Sequence, residues 1–324
     1  MRRGGWGWSG VALALLLAWL VAYPIMIVAG EAADGAAVRD FITRPGEWRA
    51  LWASIWISVA SVVLAAVAGV PLAFLFEGLE FPGRRVLGAL VALPAVLPPL
   101  VGVIAFLFLY GESGFAARAV QGLLRLSRAP WHLEGAGAIL LVHAYSMYAY
   151  FYLLTRAGLA KLDASMLEAA QALGASRWSV LRRVTLPLVR PSLAGAALLT
   201  FMTALGSFSA PYVFGGGFRV MPTQIIASRL NGNSALAMVE TIALALVALA
   251  VLLLLRRVEG DDVLVALGKG TAPRRRRLRT AGARALAACA GWTLALLLLL
   301  PHLTLVLVSL VGSAARNFCL SPEP

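Results

Sequence analysis

Charged residues are scarce in this sequence. They fill 13% of its 324 positions, against 60% for hydrophobic residues, a balance too apolar for a soluble globular domain of this length. Acidic residues are the rarer sign, 15 against 28 Lys and Arg, and the long apolar runs hold almost none except Glu134 and Glu240 at their ends. There are two cysteines, Cys289 and Cys319, which supply neither a disulfide framework nor metal-ligand spacing. No phosphate-cradling G-x-x-x-x-G-K-[ST] loop is present, since Gly268-Lys269 is followed by Gly270 and lacks the upstream spacing. These absences exclude a disulfide-stapled secreted domain and a chain that hydrolyses ATP itself.

What the sequence does have is long apolar runs. Windows of about 18 to 25 residues cross about 30 Å of hydrocarbon as helix, and they fall near 9–30, 51–76, 87–110, 135–155, 192–212, 236–255 and 285–312. The net charge of +13 raises the question of a nucleic-acid partner. Threading the spans with the N-terminus in the cytoplasm puts 19 of the 28 basic residues inside, so sidedness and anionic lipid at the cytoplasmic face explain the excess without nucleic acid. The first apolar run is too long for a secretory signal core and ends without a convincing cleavage site, which favours an uncleaved span. The fold class is therefore all-α: a polytopic transmembrane helical bundle of about seven spans, multi-pass in a membrane.

Between the fourth and fifth spans lies a polar insert at 157–190, containing "MLEAAQALGASRWSVLRRVTLPLVRPS". Ser165-x-x-Glu168 reads as a capping box. Ala169, Ala170 and Ala172 propagate the helix and Gly174 ends it in a left-handed turn. Ser176 caps a second helix carrying Trp178, Leu181 and Val184 on one face, with Arg177, Arg182 and Arg183 elsewhere, and Pro187 stops it. Two short helices meeting at a glycine, with an alanine-rich flank open to close approach, make a docking element and not a catalytic site.

Glu168-Ala169-Ala170, three residues, Gly174, nine residues, then Val184-x-Leu186-Pro187 resembles the EAA loop of permease subunits from binding-protein-dependent ABC importers, with Val184 where that family usually carries Ile. The resemblance implies a type I importer permease whose loop docks on two copies of a separate ATP-binding subunit. Glu168, Ala169, Ala170, Gly174, Val184, Leu186 and Pro187 would form the contact. ATP and Mg would be bound by that partner, with no cofactor in this chain, and an external binding protein would deliver the solute. Ferric-iron permeases, and thiamine permeases related to them, often fuse two six-span halves. On that pattern, 1–258 is a first half, 259–284 a basic cytoplasmic linker, and 285–324 the first span of an incomplete, truncated second half; a second half or a second copy would complete the pathway.

"LPAVLPPLVGVIAFLFLYGESG" and "APYVFGGGFRVMPTQI" look most like ferric-iron permeases, which implies ferric iron as the solute. The residues themselves offer no Fe³⁺ ligand set and fit thiamine, a polyamine or an oxyanion equally. Pro94, Pro98 and Pro99 break the third span, either for packing or to expose carbonyls to a pathway. His143 is an intramembrane ionisable group, either a pathway residue or a neutral hydrogen-bonded one. The long connection 206–237 faces outside, and the basic run 273–280 reads as a lipid-facing linker. Two rival classes are weaker. A gradient-driven secondary transporter would want acidic residues near mid-membrane, and an enzyme built on His143 and Ser146 lacks a carboxylate partner.

Overall fold

The computed structural model describes residues 8–259, 276–277 and 280–319. In chain order its α-helices are α1 (Trp8–Ala32), α2 (Gly35–Thr43), α3 (Pro45–Gly78), α4 (Arg84–Leu90), α5 (Pro99–Tyr110), α6 (Phe115–Leu124), α7 (Gly135–Ala160), α8 (Ala164–Ala172), α9 (Arg177–Val180), α10 (Leu186–Leu205), α11 (Ser209–Phe214), α12 (Met221–Leu230), α13 (Ser234–Glu259) and α14 (Ala281–Cys319). Two-residue strands Leu79–Glu80 and Arg276–Arg277 pair in parallel. Of the linker expected at 259–284, residues 260–275 and 278–279 lie outside the described residues, as do Arg2, Arg3 and the last residues of the chain.

Among the described residues, seven helical segments are long and apolar enough to span a membrane: Gly10–Ala32, Pro45–Gly78, Pro99–Leu124, Gly135–Ala160, Arg177–Leu205, Ser234–Arg257 and Arg284–Leu310. The number matches the sequence reading, and the third and fifth segments shift most. The third segment starts at Pro99 and not near 87, because prolines interrupt the helix before it. Pro98 sits at φ −54°, ψ 136°, the extended geometry imposed on a residue that precedes another proline. The fifth starts at Arg177 and ends at Leu205, so it takes in the second helix of the polar insert.

Pro187 does not stop that helix, contrary to the sequence expectation. A proline lacks the N–H that would close its own turn. Here the preceding turn, Leu181–Thr185, widens to π geometry, with Leu186 N–H bonding the Leu181 carbonyl. The widened turn absorbs the missing donor, and the chain runs on as α10 with Pro187 in its first turn.

The chain forms two compact units, Met1–Ile55 with Arg219–Val251, and Trp56–Phe218 with Leu252–Pro324, the divisions falling inside α3 and α13. In the first, Ala37 and Phe41 of α2, Ala50 and Leu51 of α3, Met221 of α12 and Leu236 of α13 make one apolar cluster. The Met221 N–H donates to the buried Ser54 hydroxyl at 2.7 Å, fixing the start of α12 on α3.

In the second unit α7 is the central element, contributing Tyr148 and Tyr152, Ile139 and Val142, Met147 and Phe151, and Leu159 to four separate clusters. Small residues let its backbone approach its neighbours. A Cβ at Gly69 of α3 would collide with the Tyr148 carbonyl, and one at Gly158 would lie 2.6 Å from the Ser192 hydroxyl of α10. The helical break before α5 is held from α7: the Tyr148 hydroxyl donates to the Val91 carbonyl at 2.7 Å, and that of Tyr152 to the Gly88 carbonyl at 3.0 Å. Interrupted backbone in a membrane needs such partners.

Candidate functional site

The polar insert folds as two short helices around a sharp turn. Asp163 is the N-cap of α8, its carboxylate accepting the Ser165 N–H at 3.0 Å. The expected Ser165–Glu168 capping box is therefore not what starts the helix. Asp163 already holds the extended cap conformation two residues upstream, which places Ser165 within the helix. Gly174 does end α8 as expected. At φ +81° it is left-handed, with Gly174 N–H bonded to the Gln171 carbonyl and Ala175 N–H to that of Ala170, a Schellman closure. Ser176 caps α9 as expected, accepting the Ser179 N–H at 3.2 Å.

The motif residues separate into two groups by exposure. Glu168, Ala169, Gly174 and Pro187 are exposed, and Ala170 is half-buried. Leu186 packs inward against Leu159, Leu162 and Val189, and Val184 is half-buried. Trp178 does not share the inward face: Val180, Thr185 and Val189 are the buried positions, while Trp178 is 68% exposed. Beside it Leu173 is 90% exposed and Met166 is also exposed. Sequence reasoning missed Leu173 and Met166, although an apolar residue adjoining a left-handed glycine is a visible signal. Nothing approaches within 4 Å of a Cβ placed on Gly174. The loop thus presents large apolar side chains, a free glycine turn and one carboxylate together, flanked by the exposed Arg177, Arg182 and Arg183.

His143 lies inside the second unit, 2% exposed, its Nδ1 2.8 Å from the Ser61 hydroxyl and its Nε2 2.9 Å from that of Ser207. The Ser61 proton is committed to the Ile57 carbonyl at 2.7 Å. Ser61 must then accept from Nδ1–H, which leaves Nε2 to accept from Ser207, a neutral imidazole with both nitrogens satisfied. Ser146 turns instead to the Val142 carbonyl, so the pairing with His143 that an enzyme would need does not form. Pro98 and Pro99 are exposed and Pro94 half-buried at the break. Pro94 lies in a short turn, Leu93–Ala95, that packs on α7, the helix that carries His143. On the side opposite the insert, His132 bridges the carboxylates of Glu112 and Glu134.

The structure is thus a multi-pass helical bundle with an exposed pair of short helices, α8 and α9, after its fourth span. Residues 67–260 match the family described as binding-protein-dependent transport system inner membrane component, and the chain belongs to that family. It is 30% identical to the molybdenum transport system permease ModB of Mycobacterium tuberculosis, over 72% of this chain and 87% of that one. It is 27% identical to the probable ABC transporter permease y4fN of Sinorhizobium fredii over 98% of its own length, while spanning only 57% of that protein. A crystal structure of a bacterial alginate ABC transporter, in complex with its alginate-bound periplasmic protein, contains a chain of the same fold, with TM-score 0.67 and 18% identity over 80% of this chain and 96% of that one. The protein is a multi-pass inner-membrane protein of the ABC importer permease class.

Proposed function

We propose that this chain forms part of the solute pathway of an ATP-driven importer, and that residues 164–187 are the surface on which its ATP-hydrolysing subunits dock. The observation that carries this reading is the pairing of Leu173, 90% exposed, and Trp178, 68% exposed, on the two sides of the left-handed Gly174. Large apolar side chains held out by a rigid polar loop are the mark of a surface made for another protein. Glu168 adds a charge-assisted contact, and inward-facing Leu186 ties the loop to the cluster of Leu159 and Val189. Closure of two ATP-binding subunits, with ATP and Mg on them, would thereby move α7 and α10, which flank the loop. A second set of spans, from another copy or another half, completes the pathway, and an external binding protein supplies the solute.

Purification of the chain in mild detergent with every bound protein identified by mass spectrometry tests this. A P-loop ATPase is expected with the wild type and lost in Leu173→Ser/Trp178→Ala at unchanged membrane level. Uptake that persists without any ATPase would favour the gradient-driven class instead.

For the solute we favour an oxyanion of the molybdate kind over the ferric ion expected from the sequence. The likeness to the molybdenum permease ModB, which covers most of both chains, supports this choice. The described residues of the spans carry hydroxyl and imidazole groups and no cluster of three metal-ligating side chains. Calorimetry of the co-purifying binding protein against molybdate, ferric citrate and thiamine decides it. Tight binding of molybdate alone is expected, and tight binding of either other solute overturns it.

A further inference from the structure

Two carboxyl groups are buried in the first unit and the proposed function uses neither. Glu47, in the first turn of α3, is 3% exposed, and Glu240 of α13 is 0% exposed. They lie against each other. Each has one oxygen provided for: Gln224 Nε2 donates to Glu47 Oε1 at 3.1 Å, and the Ser228 hydroxyl donates to Glu240 Oε1 at 2.6 Å. Both donors come from α12. The second oxygen of each, Glu47 Oε2 and Glu240 Oε2, is buried with no hydrogen-bond partner among the described residues.

Two ionised carboxylates in contact, each with an orphaned oxygen in an apolar cluster, are an unfavourable arrangement twice over: like charges repel, and buried acceptors go unsatisfied. Among the described residues of this unit the other charged groups are Glu31, Asp34, Arg39, Asp40, Arg44, Arg49, Arg219 and Arg229, and no ion pair joins any of them to Glu47 or Glu240. Asp40 pairs with Arg44 and Arg229 with Glu31 at the surface, while Arg39 and Arg49 are exposed. A metal ion is a poor answer, because it wants six or more oxygen ligands for calcium and a near-octahedral set for magnesium. Here Gln224 and Ser228 turn N–H and O–H protons toward the carboxylates, an orientation that opposes a cation in the same place.

One proton answers both difficulties. Placed between the two orphaned oxygens, it makes one group a donor and the other its acceptor, and removes one of the two charges. We propose that Glu47 and Glu240 form a proton-binding site that holds a single shared proton and ties the start of α3 to α13 through the two donors of α12.

The test is infrared spectroscopy of the full chain in lipid nanodiscs at neutral pH, with glutamate carboxyls isotopically labelled so that their bands are assigned. The wild type should show the carbonyl stretch of a protonated, buried glutamic acid. Glu240→Gln and Glu47→Gln should each abolish it, because the new amide N–H donates to the remaining carboxylate. Ser228→Ala keeps the pair and should shift the band without removing it, which preserves a readout should a glutamine variant not fold. Absence of the band in the wild type, or its survival in both glutamine variants, overturns the proposal. A melting temperature of the wild type that rises with added sodium, magnesium or calcium, and does not rise in Glu240→Gln, also overturns it in favour of a metal ion.

Discussion

The connections on the two sides of α10 are both built from short helices, and they dispose of their side chains in opposite ways. Residues 164–176 hold none of their apolar side chains inside: no residue of α8 is buried, and Leu173 stands clear of the chain. Residues 219–233 are anchored from within, although Leu230 near their end is 82% exposed. Met221 is fully buried in the first unit's core, Ser54 takes its N–H, and Gln224 and Ser228 turn inward to buried carboxylates. Polar groups are the structural glue of the second connection and apolar groups the exposed surface of the first. The difference separates two kinds of insert. One is anchored by its own chain, and the other, on the docking reading proposed above, would be covered by a partner.

The largest effect that would break this contrast is expected at Gly174. Gly174→Asp forces a side chain into left-handed backbone at φ +81°, a strain of about 1–2 kcal/mol, and places a charge in the docking contact. Docking of the ATPase should fall by about 100-fold or more, read as loss of co-purification with membrane insertion unchanged. A co-purifying ATPase at wild-type yield would make the loop an ordinary solvated turn.

Ser228→Ala probes the opposite pole. It takes the donor from Glu240 Oε1, and a buried acceptor left without its partner costs about 1–3 kcal/mol. The melting temperature should drop while ATPase binding stays at wild type. Leu173→Ser should show the mirror image, with weaker docking and no loss of melting temperature, since the side chain it replaces makes almost no contact within the chain. If the two variants behaved alike, the distinction between the inserts would be wrong.

A smaller effect is expected at Glu168. Glu168→Gln keeps the shape and removes the charge from an exposed position, so the fold of α8 should survive. A contact weakened by about 1–2 kcal/mol lowers affinity about 5- to 30-fold, measurable by titrating purified ATPase onto the reconstituted permease.

Much of this was legible in the chain before any coordinates. Span number and the glycine turn follow from local signals, an apolar window and a residue free to take positive φ. What escaped depended on partners distant in sequence. No local signal at Tyr148 or Tyr152 shows that their hydroxyls donate to carbonyls 57 and 64 positions away. Glu240 was visible in the sequence only as an acid at the end of an acid-poor span. Its neighbourhood depends on α12 folding back, and Gln224 reaches Glu47 across 177 positions. Pro187 was misread because the helix-breaking rule assumes α geometry in the turn before it, and a π turn relaxes that assumption.

The smallest effect concerns how the docking loop begins, and it separates two accounts of one helix. In the structure Asp163 caps α8, and Ser165 lies one position into the helix with its N–H accepted by that carboxylate. Asp163→Ala should therefore remove the cap and cost about 1 kcal/mol of local stability. Ser165→Ala should cost almost nothing and even favour the helix slightly, since alanine is the better helix former at an exposed interior position. Hydrogen exchange of the amides in 164–172 reads this directly: about fivefold faster exchange is expected in Asp163→Ala and none in Ser165→Ala. The reverse pattern would restore the Ser165–Glu168 capping box, in which Glu168 is occupied at the helix start and so less available to a partner. Docking by Glu168 is thus tied to which residue caps α8, and the exchange experiment tests both.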